Sequence, residues 1–257
     1  MERRHFLSAT AGAAILARPL AAASNKAIIE LRYYRMRNGR QLERTNEFLS
    51  KALLPAMQRA GAGPLGFFGG VIAERSPFAL ALISYPSLSA METITAKVAA
   101  DRDYQRGLDA YDSMAELSYI RIESSLLRGF ETMPQVEVPS GVSNRPPRIF
   151  ELRTYEANNQ TASKRKVKMF DDAEIAIFRR CGMLPVFFGE TLIGQNLPNL
   201  TYMLAYDDMT ARDKAWRTFG ADPEWQKLRA QPGLTDPEIV SNISNAILRP
   251  LPFSPIR

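Results

Sequence analysis

At 257 residues, 46% hydrophobic and 23% charged, the chain is long enough for one sizeable core or two small ones, and its composition excludes general disorder. The formal charge of +6 is too mild to mark a dedicated nucleic-acid binder. The single histidine and the single cysteine leave little room for imidazole catalysis, disulfide frameworks or the common zinc sites.

Residues 1–23 read as a removable export signal of the twin-arginine type. Arg3-Arg4 precedes Phe6-Leu7 and a small apolar run from Ala9 to Ala17, and Ala21-Ala22-Ala23 offers a small-residue cleavage site. The run is too short to cross a bilayer, for which roughly 18 to 20 residues are needed. Its Ala-rich character and Arg18 favour the route that carries folded cargo, to the periplasm or beyond. Cleavage removes Arg3, Arg4 and Arg18 together with Glu2, so the formal charge falls from +6 to +4. It also removes His5, the only imidazole. No Ser-His-Asp or Cys-His catalysis and no His-ligated haem is then expected of the mature chain.

Residues 27–35 alternate in the manner of a strand. Leu42, Thr45, Leu49, Ala52, Leu53, Ala56 and Met57 follow at steps of three and four, predicting a helix with one buried face that Pro55 should kink. Two strands around a Ser-Pro turn are predicted over 66–74 and 77–85, a second helix over 87–109 and a last strand over 117–130. Met133 to Pro147 has the composition of a linker. The whole pattern then recurs at a spacing of 121 residues. Ile29-Glu30-Leu31-Arg32-Tyr33-Tyr34 returns as Phe150-Glu151-Leu152-Arg153-Thr154-Tyr155, Arg59-Ala60-Gly61 as Arg180-Cys181-Gly182, and Asp101, Tyr104 and Gln105 as Asp222, Trp225 and Gln226. Asp222-Pro223-Glu224 gives the second copy a helix N-cap with proline at the first helical position.

The order β-α-β-β-α-β is the ferredoxin-like unit. The expected fold is α+β: two tandem ferredoxin-like domains, 27–131 and 148–257, joined by a Pro-rich linker at 132–147, whose sheets pack into an intrachain α+β barrel.

Phe150-Glu151-Leu152-Arg153-Thr154-Tyr155, with Ala215-Trp216-Arg217-Thr218-Phe219 and Asp222-Pro223-Glu224-Trp225-Gln226 behind it, resembles the NIPSNAP family. The resemblance is strong over about 148–255 and weaker over 27–130. It implies membership of the dimeric α+β barrel superfamily but no single reaction. Many family members carry histidine where this chain has Cys181.

Alternation puts Glu30, Arg32 and Tyr34, like Glu151, Arg153 and Tyr155, on one strand face. That face is expected to look into the space between the sheets, with Ile29, Leu31, Tyr33, Phe150, Leu152 and Thr154 under the helices. Two roles fit the charged face: an ion pair that fixes register and docking, or a lumen patch in which Arg32 or Arg153 grips an anionic or carbonyl group and Tyr34 or Tyr155 donates a hydrogen bond. Tyr104 and Trp225, just past a helix start, are placed where an aromatic can close a barrel mouth. Trp216 and Phe219 suit a core, as do Phe67-Phe68, Phe187-Phe188 and the thiol of Cys181. Lys164, Arg165, Lys166 and Lys168 read as a solvated helix face.

The sequence has no phosphate loop, metal-spaced cluster or nucleophile elbow, so neither cofactor nor metal is expected. The function expected is binding of a small apolar or acidic ligand, or of a partner protein, through the barrel. The alternative is cofactor-independent oxygenation or isomerisation, with Glu30 or Glu151 as base. Neither nucleic acid nor a membrane span is expected of the mature chain, and its oligomeric state is open.

Overall fold

A computed structural model describes residues 26–113, 117–140 and 146–257; the expected export signal and His5 lie outside the described residues. The first copy comprises β1 (Ile28–Arg35), α1 (Arg40–Phe48), a π-helical turn (Leu49–Leu53), α2 (Leu54–Ala60), β2 (Leu65–Ile72), β3 (Phe78–Tyr85), α3 (Leu88–Ala100), α4 (Arg102–Asp112) and β4 (Arg121–Gly129). The second comprises β5 (Ile149–Glu156), α5 (Gln160–Met169), a π-helical turn (Phe170–Glu174), α6 (Ile175–Arg180), β6 (Leu184–Ile193), β7 (Asn199–Tyr206), α7 (Met209–Ala221), α8 (Pro223–Arg229), α9 (Asp236–Ile239) and β8 (Asn242–Pro250).

The spacing of 121 residues holds even for the π turns, since Leu49 and Leu53 map onto Phe170 and Glu174. Pro55 follows the first turn, but Ala176 occupies the matching place after the second. Proline is therefore not what widens the helix. The helix expected over 87–109 is broken, because the Asp101 side chain accepts from the backbone N–H groups of Asp103 and Tyr104 and starts α4. Asp222 does the same for α8. Each of these aspartates also receives an arginine from the last turn of α2 or α6, Arg59 at 2.7 Å and Arg180 at 2.6 Å. The repeated Arg and Asp of the sequence are thus partners in space. Gly61 and Gly182, at φ 96° and 85°, turn the chain out of α2 and α6 through the left-handed region that glycine enters freely.

The eight strands form one closed barrel in the order β1-β3-β2-β8-β5-β7-β6-β4. Each copy contributes four consecutive staves in ferredoxin-like order. The copies meet along two antiparallel seams, β2 with β8 and β4 with β6, which lie on opposite sides of the barrel. Phe68 pairs with Pro250 at one seam and Gly129 with Gly189 at the other, and the repeat maps these pairs onto each other. The two halves are therefore related by a pseudo-twofold axis.

Three apolar layers result. Helices cover each outer sheet face, around Leu49, Leu53, Phe67 and Ile83 in the first copy and Phe170, Phe178, Phe188 and Tyr202 in the second. The third layer fills the barrel itself, where Ile29, Leu31, Phe68 and Leu82 meet Phe150, Leu152, Phe187 and Met203, with the Phe68 and Phe150 rings 4.8 Å apart. Phe67-Phe68 and Phe187-Phe188 serve both sides of their strands, and Cys181 is buried.

One barrel end is sealed. The linker segment crosses it, pairing Ala27 N–H with the Pro134 carbonyl and Glu137 N–H with the Val186 carbonyl. The C-terminal tail does likewise through Leu251 N–H on Phe67 and the buried Ile256. Arg148 donates to backbone carbonyls of Ser140 and Arg257 and ties the two segments together. The other end, where β1, β2, β5 and β6 finish, is open.

Candidate functional site

The strand faces are the reverse of those expected. Leu31 and Leu152 line the barrel interior, whereas Glu30, Arg32, Tyr34, Glu151, Arg153 and Tyr155 lie beneath the helices. Glu30 accepts from Arg32 at 2.8 and 3.0 Å, from the Tyr85 hydroxyl at 3.0 Å and from Ser124 at 2.6 Å. Arg32 reaches the Tyr34 hydroxyl at 3.5 Å. In the second copy, Glu151 accepts from Arg153 at 3.0 Å, Arg212 at 2.6 and 2.9 Å, Trp216 Nε1 at 2.8 Å and Asn245 at 2.8 Å. Arg153 also donates to Tyr155, which receives the Tyr202 hydroxyl. Burial opposes ionisation of both carboxyls, yet Arg32 at Glu30, and Arg212, Trp216 and Arg153 at Glu151, hold them below the ordinary carboxylate range.

These clusters pin α7 to β5 and the strands of each sheet to one another; none of the six residues reaches the lumen. Alternation separates two faces without saying which is covered. A charged face can go under helices when its polar atoms are paired, and the lumen needs apolar groups from both sheets.

Tyr104 and Trp225 also lie away from the mouth. Trp225 is buried against Phe219, 4.4 Å between centroids, and Tyr104 packs on Phe48 at 5.9 Å. The basic helix face needs one correction. Lys164, Arg165 and Lys168 are exposed, but Lys166 is buried, bonded to the equally buried Glu174 at 3.1 Å and set among the rings of Phe170, Tyr155 and Trp225 at 4.9, 5.3 and 5.6 Å. Burial pushes the Glu174 carboxyl up, against the pull of Lys166.

The open barrel end holds a cavity of about 420 Å³. Its floor is Leu31, Leu127 and Leu152, and its walls divide by copy. On the first-copy side stand Tyr33, Arg35 and Glu123. Arg35 bonds Glu123 at 2.9 and 3.0 Å, lies 4.3 Å from the Tyr33 ring centroid and 5.1 Å from that of Phe78, and keeps a buried Nη1 without a partner. Arg75 and Arg121 each approach the same carboxylate at 3.6 Å. Burial raises the Tyr33 hydroxyl to about 12, with Arg35 opposing, so it is a neutral donor at physiological pH. The second-copy side is uncharged and largely self-satisfied: Thr154 shares a hydrogen bond with Thr201, and Thr191 donates to Asn199.

Sequence reasoning missed Tyr33, Arg35 and Glu123. The signal available was the failure of the repeat: their counterparts are Thr154, Glu156 and Ser244, while Leu31 and Leu127 keep their apolar character as Leu152 and Leu248.

Residues 150–255 match the NIPSNAP family model. The C-terminal half is thus similar to a NIPSNAP domain. The match starts at β5 and ends in the C-terminal tail, so it spans the second ferredoxin-like unit. A NIPSNAP-like domain protein of Burkholderia xenovorans is 26% identical over 42% of this chain and 89% of its own, with a TM-score of 0.38. Over nearly the whole chain the fold is similar to that of a candidate monooxygenase from Fusobacterium nucleatum, 11% identical, covering 89% of this chain and 94% of that one, TM-score 0.57. It is also similar to an anthrone oxidase-like protein, 10% identical, covering 89% and 92%, TM-score 0.52. No curated protein matches significantly. The half that matches the NIPSNAP model and its companion build one α+β barrel.

Proposed function

We propose that the chain binds a small acidic molecule with an apolar body in the open barrel end. The observation that carries this reading is Arg35, whose buried Nη1 is unpartnered beside a cavity of about 420 Å³ with a leucine floor. A carboxylate or enolate pairs with the Arg35 guanidinium at the cavity wall while its hydrocarbon part rests on Leu31, Leu127 and Leu152, and Ser125, Gln195 and Ser244 of the polar lining meet a hydroxyl or carbonyl. Glu123 holds Arg35 in place and keeps the site selective for single rather than multiple negative charge.

The test is a native mass spectrometry and calorimetry screen of aromatic and aliphatic monocarboxylates against the wild type and Arg35→Ala. A charge-assisted hydrogen bond contributes about 1.5–3 kcal/mol, so the variant should bind roughly 10- to 100-fold more weakly. Equal affinity in the two forms would sink the proposal.

A catalytic reading has one observation in its favour: a carboxylate, a neutral phenol and a guanidinium share this cavity, on a fold similar to that of a candidate monooxygenase. Glu123 would remove a proton from an activated carbon and Arg35 would stabilise the enolate that forms. Glu123→Gln should then retain ligand but lose turnover, measured as oxygen consumption or isomer formation.

A further inference from the structure

Exposed aliphatic side chains gather at the open end of the barrel. Ile72 at the tip of β2 and Ile193 at the tip of β6 are each 65% exposed; Ile122 near the start of β4 and Ile243 near the start of β8 are each 43% exposed. The repeat spacing relates both pairs, Ile72 to Ile193 and Ile122 to Ile243. They sit at the β2/β8 and β4/β6 seams, on opposite sides of the opening. Ile120, just before β4, and Leu197, just after β6, are also exposed and extend the apolar surface on the β4/β6 side. Basic charge accompanies them. Arg37, Arg40, Arg75 and Arg121 are exposed at this end, next to Arg35; among the described residues, Glu74, Glu123 and, at the end of β5, Glu156 are the carboxylates at these strand ends and hairpin.

We propose that the open barrel end docks on the surface of an anionic lipid bilayer. Two apolar tips on either side of a concavity suit a plane that both can enter together, and the arginines between them suit phosphate headgroups. A protein partner or a second copy would need a projection to fill the concavity. Docked in this way, the cavity opens at the depth where the acid group of an amphipathic molecule sits. No described helix is long and apolar enough to cross a membrane, and docking requires none. The inference is separate from ligand binding in solution, because Ile72 and Ile193 do not line the cavity.

The experiment is flotation of the full chain with vesicles of phosphatidylcholine alone or mixed with phosphatidylglycerol, beside Ile72→Asp/Ile193→Asp and Arg75→Glu/Arg121→Glu. Every form carries the same residues 1–25, so differences report the barrel end. The wild type should float with the anionic vesicles, less so at high salt, and each double variant should partition at least about tenfold more weakly. The melting temperature of Ile72→Asp/Ile193→Asp should be unchanged, since both side chains are exposed. The Ile72→Asp/Ile193→Asp form should still bind any soluble carboxylate found with the wild type. The inference is overturned if the wild type does not float, if the variants float equally, or if sedimentation shows a wild-type dimer that Ile72→Asp/Ile193→Asp turns into a monomer.

Discussion

Lys166 and Glu174 form a pair whose side chains are each 2% exposed, and their removal one at a time has a calculable outcome. In Lys166→Met the carboxyl loses its one cation neighbour at bonding distance, and burial already favours its protonated form. The folded protein then takes up a proton that the unfolded chain does not hold. Taking the ordinary glutamate pKa as about 4.3, this costs at most about 3.7 kcal/mol at pH 7. For a chain of this size that is roughly a 10 °C fall in melting temperature. The sign follows from linkage: a raised folded pKa gives stability that is present at low pH and lost as pH rises. Lys166→Met should therefore regain about 2.7 kcal/mol between pH 7 and pH 5. Glu174→Leu leaves the ammonium buried among three rings without its carboxylate and should also cost stability. Lys166→Met/Glu174→Leu should be near neutral or more stable than the wild type. Urea unfolding at pH 5, 6, 7 and 8 measures all of this. A cost below about 1 kcal/mol in Lys166→Met, or no recovery on acidification, would refute the reasoning.

The wild type should behave in the opposite way at its acid limb. Glu30 and Glu151 have lowered folded pKa values, so the stability they contribute is present above the ordinary glutamate pKa of about 4.3 and is lost as pH falls below it; Glu151→Gln should flatten that limb in acid denaturation followed by circular dichroism. We also propose export by the twin-arginine route. Changing Arg3-Arg4 to Lys-Lys should leave an uncleaved precursor inside the cell, and normal processing of that variant on immunoblots of cell fractions would refute the assignment.

The fold was legible because it is written twice. A strand pattern such as Glu30-Leu31-Arg32 is ambiguous alone, but its return at Glu151, in step with Arg180, Asp222 and the second helix, leaves one architecture. The helix break at Asp101 was legible in principle, since the second copy shows the cap openly as Asp222-Pro223. The direction of the strand faces was not. Glu-x-Arg-x-Tyr looks like a lumen lining until Arg212, Trp216 and Tyr85, distant in sequence, arrive to satisfy it. Lys166 was hidden for a similar reason: its helix reads as basic all round, and only the π turn that carries Glu174 brings a carboxylate to it.

The pseudo-twofold axis has a further consequence at the open end. Two identical subunits would face each other across such a barrel with the same wall twice, Arg35 opposite Arg35, and every gain of charge would be doubled. Fusion into one chain lifts that constraint. The five arginines at positions 35, 37, 40, 75 and 121 are answered by Glu156, Asn158, Thr161, Asn196 and Asn242. One half carries the cationic grip while the other lines the cavity with uncharged groups, so the two sides of the cavity differ in charge. On the proposed reading, an acidic ligand entering this polarised chamber binds with its charged group toward the first copy.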